Sequence, residues 1–483
     1  MFAIRRSRLV SLMYLGAIVG LAMFLPEAVF AQPYKAAVGY NQLATELGGS
    51  LETGAGVNVA LVEASFGAAN RYMPDTTNSQ FSGKTILEGS GATNGNSSHA
   101  LTVGQYYFGN SSSMAPGVTN ISVFEAGSWI NSRLAPGGGG TPLTENFRVS
   151  NHSYVARTAD VSEANAVNYL MRMDYYINQS GTTVVVGTDN DTTVLPRLFT
   201  QGYNSISVGL STQSTKNFSR GFTNLYGNGR VKPDIVVSLN EGTGMDYTSF
   251  STAIVSSAAT LLHAKADTLG ANAADARRPE VIKSILMSGA TKEAGMNWDR
   301  TNTRPLDETY GAGQLNIRNS YYTMQGGQFN GHLSTPTSQI GLNGWDYESS
   351  LAGNTSMFYE FAVGSGGVQD ISMMLNWNIQ VTDTDAGANF LPAATLSNLS
   401  LSLLDSSNNV IDFSNSPVDN LEHISLSSLN SGTYRMRVDN LSSFSSSFAL
   451  SWRMTAVPEP GSGGVLLLFT MGMLARRGRR PRV

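Results

Sequence analysis

Apolar and polar residues follow two different patterns along the chain, and the change comes near residue 330. Before it, short apolar runs such as 57–62 and 120–124 are separated by stretches with helical periodicity. Short buried strands that alternate with helices are typical of a parallel sheet with helices on both faces. The pattern therefore predicts an α/β domain. Its other expected elements are helices after His99 and over 161–178 and 251–266, and strands over 182–186 and 205–208.

After residue 330, apolar and polar residues alternate at every second position, and turn residues such as 406–409 separate the runs. This period places neighbouring side chains on opposite faces of a strand, and the hairpin spacing favours antiparallel pairing. We therefore predict an antiparallel β-sandwich over 330–455. Its strands are expected over 357–363, 371–377, 399–404, 433–438 and 448–452.

The first 31 residues have the pattern of a secretory signal peptide. Three arginines among the first eight residues precede an apolar run over 9–25, and small residues lead to Ala31. These features predict export, with cleavage by signal peptidase after Ala31 and residues 32–56 left as a short leader. The alternative is an uncleaved membrane anchor, although the apolar run is short for a spanning helix.

The last residues, 457–483, combine three features in a fixed order. Pro458, Glu459 and Pro460 precede an apolar segment over 465–475, which is followed by five arginines. This order resembles the PEP-CTERM sorting signal of bacteria, which implies cleavage by an exosortase-type sorting enzyme and transient anchoring in the bacterial membrane. An ordinary tail anchor would explain the apolar segment and the arginines but not the Pro-Glu-Pro motif. The expected location is the periplasm, the cell surface or the extracellular matrix.

Composition removes several classes of function. The chain contains no cysteine, which excludes a disulfide scaffold, a Cys-ligated metal centre and a thiol nucleophile. Its net charge of −4 supplies no basic field, so we expect no nucleic-acid partner. Only 14% of the residues are charged, and such a weakly charged polar surface suits an exported protein.

Three residues of the first domain have the chemistry of a hydrolase, although each also has an ordinary structural explanation. His99, one of five histidines, begins a helical run, where the helix dipole favours a neutral imidazole. Ser249 lies at the start of a long apolar helix, near free backbone N–H groups, where a serine is usually an N-cap. Glu63 ends the first strand, at the carboxyl edge where open α/β sheets place their sites.

The order and context of these residues resemble the subtilisin-like serine peptidases, the subtilases. The likeness defines a peptidase domain over 57–325 and keeps the family's order throughout. The matching segments are 57–65 for the strand that ends in the catalytic acid, 97–104 for the histidine block, 114–124 for the strand after it, 149–154 for the substrate strand, 180–190 for the oxyanion strand, 247–253 for the serine block and 310–316 for the closing turn.

This resemblance implies acyl transfer to a serine. Ser249 would attack a peptide carbonyl, His99 would take and return the proton, and Glu63 would orient the imidazole and stabilise its charged form. Glu63 stands where the family has aspartate. The extra methylene keeps the charge but requires the backbone to sit farther back, and triads with glutamate exist on other folds.

The resemblance also assigns the groups that hold the substrate. Asn190 and the backbone N–H of the serine would form the oxyanion hole. A protein or peptide substrate would add as a strand along 151–155, where Ser153 and Tyr154 are the expected binding residues. Calcium sites are common in the family, but no carboxylate cluster here has a suitable spacing, so we identify no metal site and expect no cofactor.

Several departures from the family pattern leave two functions open. Tyr247 replaces the glycine before Thr-Ser, Ala253 replaces a proline, and Asp189 puts a negative charge beside the oxyanion asparagine. The leader is also too short for the folded inhibitory propeptide typical of secreted subtilases. The chain is therefore either an exported serine endopeptidase or a catalytically silent subtilase-fold protein that binds at a surface or matrix. A Tyr247 ring lying across the serine would favour the silent protein.

Overall fold

The computed structural model describes residues 32–65, 70–91, 95–137, 139–156, 161–190, 198–211, 226, 230–239, 247–293, 298–385 and 389–457. The predicted signal peptide lies outside these ranges, as does the predicted sorting tail after Val457. No helix within them combines the length and the apolar character that crossing a bilayer requires.

The predicted parallel sheet is confirmed. Its strands are β1 (Val59–Glu63), β2 (Thr85–Glu88), β3 (Asn120–Glu125), β4 (Val149–His152), β5 (Thr183–Gly187), β6 (Ile206–Leu210) and β7 (Ile235–Val237). They lie in the order β2-β3-β1-β4-β5-β6-β7, and every neighbouring pair is parallel. The order reverses direction between β1 and β4, and such a switch point is where open α/β sheets bind ligands.

Helices cover both faces of this sheet because its strands are apolar on both sides. On β1, Val59 and Leu61 join one hydrophobic core, whereas Ala60 and Val62 join another. The helices are α1 (Pro33–Ala37), α2 (Tyr40–Leu47), α3 (Ser98–Phe108), α4 (Ala126–Trp129), α5 (Glu163–Ser180), α6 (Thr248–Ala266), α7 (Ala273–Ala276), α8 (Pro279–Gly289) and α9 (Ile317–Gln325). Helix α6 is buried on nearly every side, which agrees with its almost continuous run of small and apolar residues.

The second half of the chain forms the predicted antiparallel sandwich. Its strands are β8 (Asn343–Leu351), β9 (Ser356–Val363), β10 (Val368–Asn376), β11 (Gln380–Asp383), β12 (Pro392–Thr395), β13 (Leu399–Asp405), β14 (Val410–Ser414), β15 (Leu421–Leu429), β16 (Gly432–Asn440) and β17 (Ser446–Ala456). One four-stranded sheet has the order β15-β10-β17-β8 and the other β14-β13-β16-β9, while β11 and β12 form a separate hairpin. Alternate side chains fill the core between the two sheets.

The sandwich packs directly against the α/β domain. Trp345, Met374 and Ala449 of the sandwich belong to the same buried core as the residues of α8 and α9. The Trp345 indole N–H donates to the carbonyl of Met324 over 3.1 Å, and Ser284 Oγ on α8 donates to the carbonyl of Met374 over 2.8 Å. The two halves therefore share one hydrophobic interior.

Residues 32–56, the predicted leader, are also built into this core. Tyr34, Val38 and Leu43 are fully buried. The Tyr34 hydroxyl donates to the carbonyl of Ser112 over 2.6 Å. The backbone N–H of Ile317 donates to the backbone carbonyl of Val38 over 2.8 Å. The segment thus packs on α9 as part of the domain.

Candidate functional site

The predicted site residues come together at the carboxyl edge of the sheet. Glu63 is the last residue of β1, and His99 is the second residue of α3, whose N-cap Ser97 accepts a hydrogen bond from Ala100 N over 3.2 Å. Ser249 is the second residue of α6. Helices α3 and α6 pack side by side, so their first turns lie next to the end of β1.

Glu63 and His99 form a direct pair. The Glu63 Oε2 atom lies 2.6 Å from His99 Nδ1. The longer glutamate side chain is therefore within hydrogen-bond distance of the histidine, as the resemblance implied for the aspartate that it replaces. The Glu63 side chain is 1% exposed, whereas that of His99 is 38% exposed. The other carboxylate oxygen, Oε1, is buried and accepts no hydrogen bond from the described residues. The carboxylate is therefore committed to the imidazole.

The pair changes the proton affinity of both partners. Burial raises the pKa of the Glu63 carboxyl, and His99 only partly offsets this effect. Burial by itself would lower the pKa of His99, but the charge and the hydrogen bond of Glu63 outweigh it and raise that pKa above its usual value of 6.5. The position at the helix start was expected to lower the pKa of His99, and this expected direction is wrong. A carboxylate in direct contact outweighs the effect of the helix dipole.

Ser249 is held by Ser153 rather than by the histidine. Its hydroxyl donates to the Ser153 carbonyl over 3.3 Å, while the Ser153 hydroxyl donates to the Ser249 carbonyl over 2.9 Å. In the described part of the chain, no hydrogen bond joins His99 to Ser249. The predicted acid and base are thus paired, and the predicted nucleophile is paired with the segment expected to bind substrate.

A second contact ties that strand to α6. Asn151 donates to Ser153 Oγ over 2.9 Å and accepts from Ser256 Oγ over 2.9 Å. All three side chains are buried. This chain of hydrogen bonds fixes the position of α6 relative to the end of β4. No sequence motif indicated the part that Ser256 plays in it.

Asn190 stands beside Ser249 as predicted and also caps its helix. The N-cap residue Tyr247 makes no side-chain cap hydrogen bond. Instead, Asn190 Oδ1 accepts from Thr248 N over 2.8 Å and from Thr248 Oγ1 over 3.0 Å. These bonds use the amide oxygen, which leaves the Nδ2 group as the donor of this side chain. Asn190, Ser153, Tyr154 and Ser249 line one small pocket of about 30 Å³.

The segment that can pair with a substrate strand is shorter than the predicted range 151–155. Val149–His152 pairs with β1 on one side and β5 on the other, so both edges of Asn151 are already occupied. A peptide therefore cannot add along 151–155 as a whole. Only 153–155, beyond the end of β4, can accept an added strand, and this part contains both predicted binding residues.

The sequence did not reveal the polar cluster beneath this segment. His152 Nδ1 lies 3.0 Å from the Tyr154 hydroxyl and His152 Nε2 lies 2.9 Å from Ser150 Oγ. Complete burial lowers the pKa of His152 to about 3, so the ring is neutral near pH 7. The edge of the Trp129 ring packs on the imidazole at a centroid distance of 4.7 Å. The cluster fixes Tyr154 at the rim of the pocket.

Two of the three departures from the family pattern have a clear structural place. Tyr247 is 44% exposed, its ring meets Phe250 edge-on at 5.6 Å, and it is not among the described residues that line the Ser249 pocket. Ala253 is buried and continues α6. Asp189 is buried two residues after the end of β5. In the described ranges, no three His, Asp or Glu side chains are grouped so as to hold a metal ion.

Phe250 is a further residue of the site that the motifs did not single out. Its ring lies 6.1 Å from the His99 ring and 5.6 Å from that of Tyr106, measured between centroids. It therefore packs against the imidazole on the side of α6. This aromatic contact limits how far the histidine ring can turn.

Comparison with protein families agrees with this arrangement. Residues 91–313 match the model of Peptidase_S8, the subtilase family. This part of the chain is similar to the subtilases, and the match covers a little less than half of the sequence. The matched range includes His99, Asn190 and Ser249 but begins after Glu63, so the role of Glu63 depends on its contact with the histidine. Among curated proteins, none matches the sequence.

Solved structures resemble the chain at low sequence identity. The epidermin leader peptide processing serine protease EpiP from Staphylococcus aureus is 13% identical over 60% of this chain and 80% of its own, with a TM-score of 0.39. A cold adapted subtilisin-like serine proteinase is 16% identical over 55% of this chain and 88% of its own, with a TM-score of 0.33. The pre-peptidase C-terminal domain of a collagenase from Bacillus anthracis is 18% identical over 25% of this chain and 99% of its own, with a TM-score of 0.18.

Proposed function

We propose that the chain is a serine endopeptidase that cleaves protein or peptide substrates through Ser249, His99 and Glu63. The observation that carries this proposal is the 2.6 Å contact between Glu63 and His99 Nδ1, beside the pocket of Ser249 and Asn190. A carboxylate on Nδ1 leaves Nε2 as the proton acceptor of the ring.

In this mechanism His99 removes the proton from the Ser249 hydroxyl as the oxygen attacks the scissile carbonyl, and then donates a proton to the leaving amine. Glu63 stabilises the imidazolium between these two transfers. The oxyanion receives hydrogen bonds from the Nδ2 group of Asn190 and from the backbone N–H of Ser249 at the first turn of α6. Water then hydrolyses the acyl-enzyme by the same steps in reverse.

Substrate binding supplies the missing contact between serine and histidine. The carbonyl that now accepts from Ser249 Oγ belongs to Ser153, in the segment where an added peptide strand would donate its own N–H. When the peptide takes this carbonyl, the hydroxyl is released and turns to His99. Catalytic hydrogen bonds often tighten only in the substrate complex.

A fluorophosphonate probe tests this proposal, because it reacts only with an activated serine. We expect the wild-type chain to be labelled, and Ser249→Ala to abolish the label without changing the circular dichroism spectrum. Ser251→Ala is a matched control, since Ser251 is buried in the same helix and its hydroxyl has no partner among the described residues. It should leave labelling unchanged.

A second function, a catalytically silent subtilase-fold binding protein, is favoured by one observation. Ser249 donates to Ser153 and not to His99. If this arrangement persists with substrate, the serine is never activated. Absence of labelling in folded wild-type chain would establish this function, and labelling at Ser249 would refute it.

We further propose that the chain is exported and sorted at the cell surface or in the matrix. The support is in the sequence: the signal-peptide pattern before Ala31, the Pro-Glu-Pro motif at 458–460 and the arginines that end the chain. Signal peptidase and an exosortase-type enzyme are the partners that these segments imply, with the tail holding the chain in the bacterial membrane until it is cut.

A further inference from the structure

A large polar cleft lies far from the peptidase site, where the α/β domain meets the sandwich. Its volume is about 840 Å³, within the range of ligand-binding pockets, and junctions between domains are preferred places for such sites. Arg148 and Gly181 line it immediately before β4 and β5. The cleft therefore opens at the amino edge of the sheet, whereas Ser249 lies at the carboxyl edge.

The two walls of the cleft are fixed to each other. Asn178 at the end of α5 donates to the carbonyl of Ile379 over 2.8 Å, and the N–H of Ile379 donates to Asn204 Oδ1 over 2.9 Å. Ser451 Oγ on β17 donates to Ser288 Oγ on α8 over 2.8 Å. Because these contacts are buried, the cleft is preformed and does not depend on domain closure.

Three arginines, Arg148, Arg277 and Arg278, line one wall of the cleft. Arg148 and Arg277 share a single carboxylate, that of Asp267, at 3.4 and 2.8 Å. Arg278 contacts Asp275 at 3.3 Å and lies 4.0 Å above the ring of Tyr347. One shared carboxylate cannot neutralise two guanidinium groups, and each fork keeps N–H groups that can bind an acidic ligand in the cleft.

Glu280 is the acidic residue of the cleft lining. It is 6% exposed, its Oε2 atom accepts from Asn378 Nδ2 over 3.3 Å, and its Oε1 atom lies 3.9 Å from Arg278. Burial raises the pKa of this carboxyl. Its side chain is 7% exposed, whereas that of Arg278 is 43% exposed, so a ligand in the cleft reaches the guanidinium rather than the carboxylate.

The opposite wall contains a hydrogen-bond acceptor that receives no hydrogen bond from the described residues. Asn378 is 8% exposed and lines the cleft. Its Nδ2 group donates to Asn178 Oδ1 over 3.0 Å, and Asn178 uses its own Nδ2 group elsewhere, so the orientation of both amides is determined. Asn378 Oδ1 has no hydrogen-bond partner among the described residues. A buried acceptor of this kind suits a ligand hydroxyl, which a deprotonated acidic peptide side chain cannot supply.

The remaining lining suits a sugar chain. Ser445, Ser446 and Ser447 add hydroxyl groups at the start of β17, and the neighbouring Phe444 ring is 43% exposed. Hydroxyls and amides match the alternating donors and acceptors of a polyol, while an exposed ring can cover the apolar face of a pyranose. We propose that this cleft binds an acidic polysaccharide, with the arginines on its carboxylates and Asn378 Oδ1 on a hydroxyl. The inference does not depend on peptidase activity.

Isothermal titration of the folded chain with a mannuronate hexasaccharide tests the proposal. We expect binding that weakens at higher salt and is unchanged in Ser249→Ala. Arg278→Ala should weaken it at least ten-fold. Arg318→Ala is the matched control, because Arg318 also contacts a carboxylate and a tyrosine ring, those of Glu46 and Tyr322, but outside the cleft. It should change the affinity less than two-fold.

A second variant, Ser349→Trp, fills the cleft from the exposed side of β8 and should abolish binding while the melting temperature stays near that of the wild type. Three results would overturn the proposal: no binding of the hexasaccharide at millimolar concentration, equal binding of hexaglutamate, or equal binding of cellohexaose. The second would show recognition of charge only, and the third would show that the arginines are not used.

Discussion

At the scale of single residues, the site depends on how Glu63 and His99 share a proton. The carboxylate is buried while the imidazole is 38% exposed, so solvent reaches the pair from the histidine side. Contact with Glu63 raises the pKa of His99 despite the cost of burial. A base with a raised pKa is protonated over more of the neutral range, and we therefore expect peptidase activity to increase with pH through that pKa.

The first prediction concerns this pair. Glu63→Gln removes the charge that raises the pKa of His99, so burial should then lower that pKa below 6.5. An NMR titration of the histidine resonances measures it without requiring activity. His152 and His263, with pKa values lowered by burial to about 3, do not titrate in this range. Glu63→Asp is the control that keeps the charge and should keep the pKa of His99 raised. An unchanged value in Glu63→Gln would show that Glu63 does not act on the imidazole.

Linkage gives the same pair an effect on stability. Because the pKa of His99 is higher in the folded chain than in the unfolded chain, its protonation stabilises the fold below pH 6.5, and this contribution is lost as the pH rises through the folded pKa. The peptidase would therefore gain activity and lose some stability over the same pH range.

At the scale of elements, the first turn of α6 is held by side chains from other strands. Asn190 caps it from the end of β5, and Ser153 binds it from the end of β4. The amide of Asn190 has two functions in this arrangement, since its oxygen caps the helix and its nitrogen is the proposed oxyanion donor. A substitution that changes the charge or the volume of Asn190 is therefore expected to affect both the stability of α6 and catalysis.

Two substitutions at Asn190 separate these functions. Asn190→Asp keeps an acceptor for Thr248 N but has no N–H donor, whereas Asn190→Ala loses both. Both should lower kcat by about 10²–10³-fold, the cost of one oxyanion donor. Only the alanine variant should also lower the free energy of unfolding, by about 1 kcal/mol for the lost cap. Steady-state kinetics and urea unfolding measure the two effects, and full activity in the aspartate variant would contradict the oxyanion role.

At the scale of the whole described chain, the α/β domain and the sandwich pack together as one body. Trp345 lies on β8 but is buried in the core that α6, α8 and α9 share. The first described helices pack on the same core through Tyr34 and Leu43. Neither half has a complete interior without the other, because the face of α8 that meets β10 and β17 is buried.

This packing predicts cooperative unfolding. Trp345→Ala should lower the free energy of unfolding by about 3–5 kcal/mol, the usual cost of deleting a large buried side chain. Circular dichroism and loss of fluorophosphonate labelling should report one coincident transition. Leu391→Ala, at a site that is 54% exposed, should change stability by less than about 0.5 kcal/mol. A sandwich that melts separately while labelling persists would contradict the shared core.

The hydrophobic period of the sequence predicted the fold class of each half and part of its elements, but not β2, β7, α8 or α9. Strand β1 was expected over 57–62 and lies at Val59–Glu63, and the long helix expected over 251–266 begins earlier, at Thr248. Ser249 was expected at the start of this helix and lies in its first turn, but the cap that Asn190 supplies was not predicted, because Asn190 is remote in the chain. Local patterns carry no record of a cap supplied by another strand.

The sequence by itself determined the parallel sheet, the antiparallel sandwich and the absence of thiol chemistry, because these depend on residue type and local period. The candidates for acid, base and nucleophile came from its resemblance to the subtilases. Only the tertiary structure decided that Ser249 is held by Ser153, 96 residues away, that the added strand must begin after His152, and that the pKa of His99 is raised. It also created the cleft between the two halves. Such features depend on contacts between distant segments, which packing brings together and which no local pattern records.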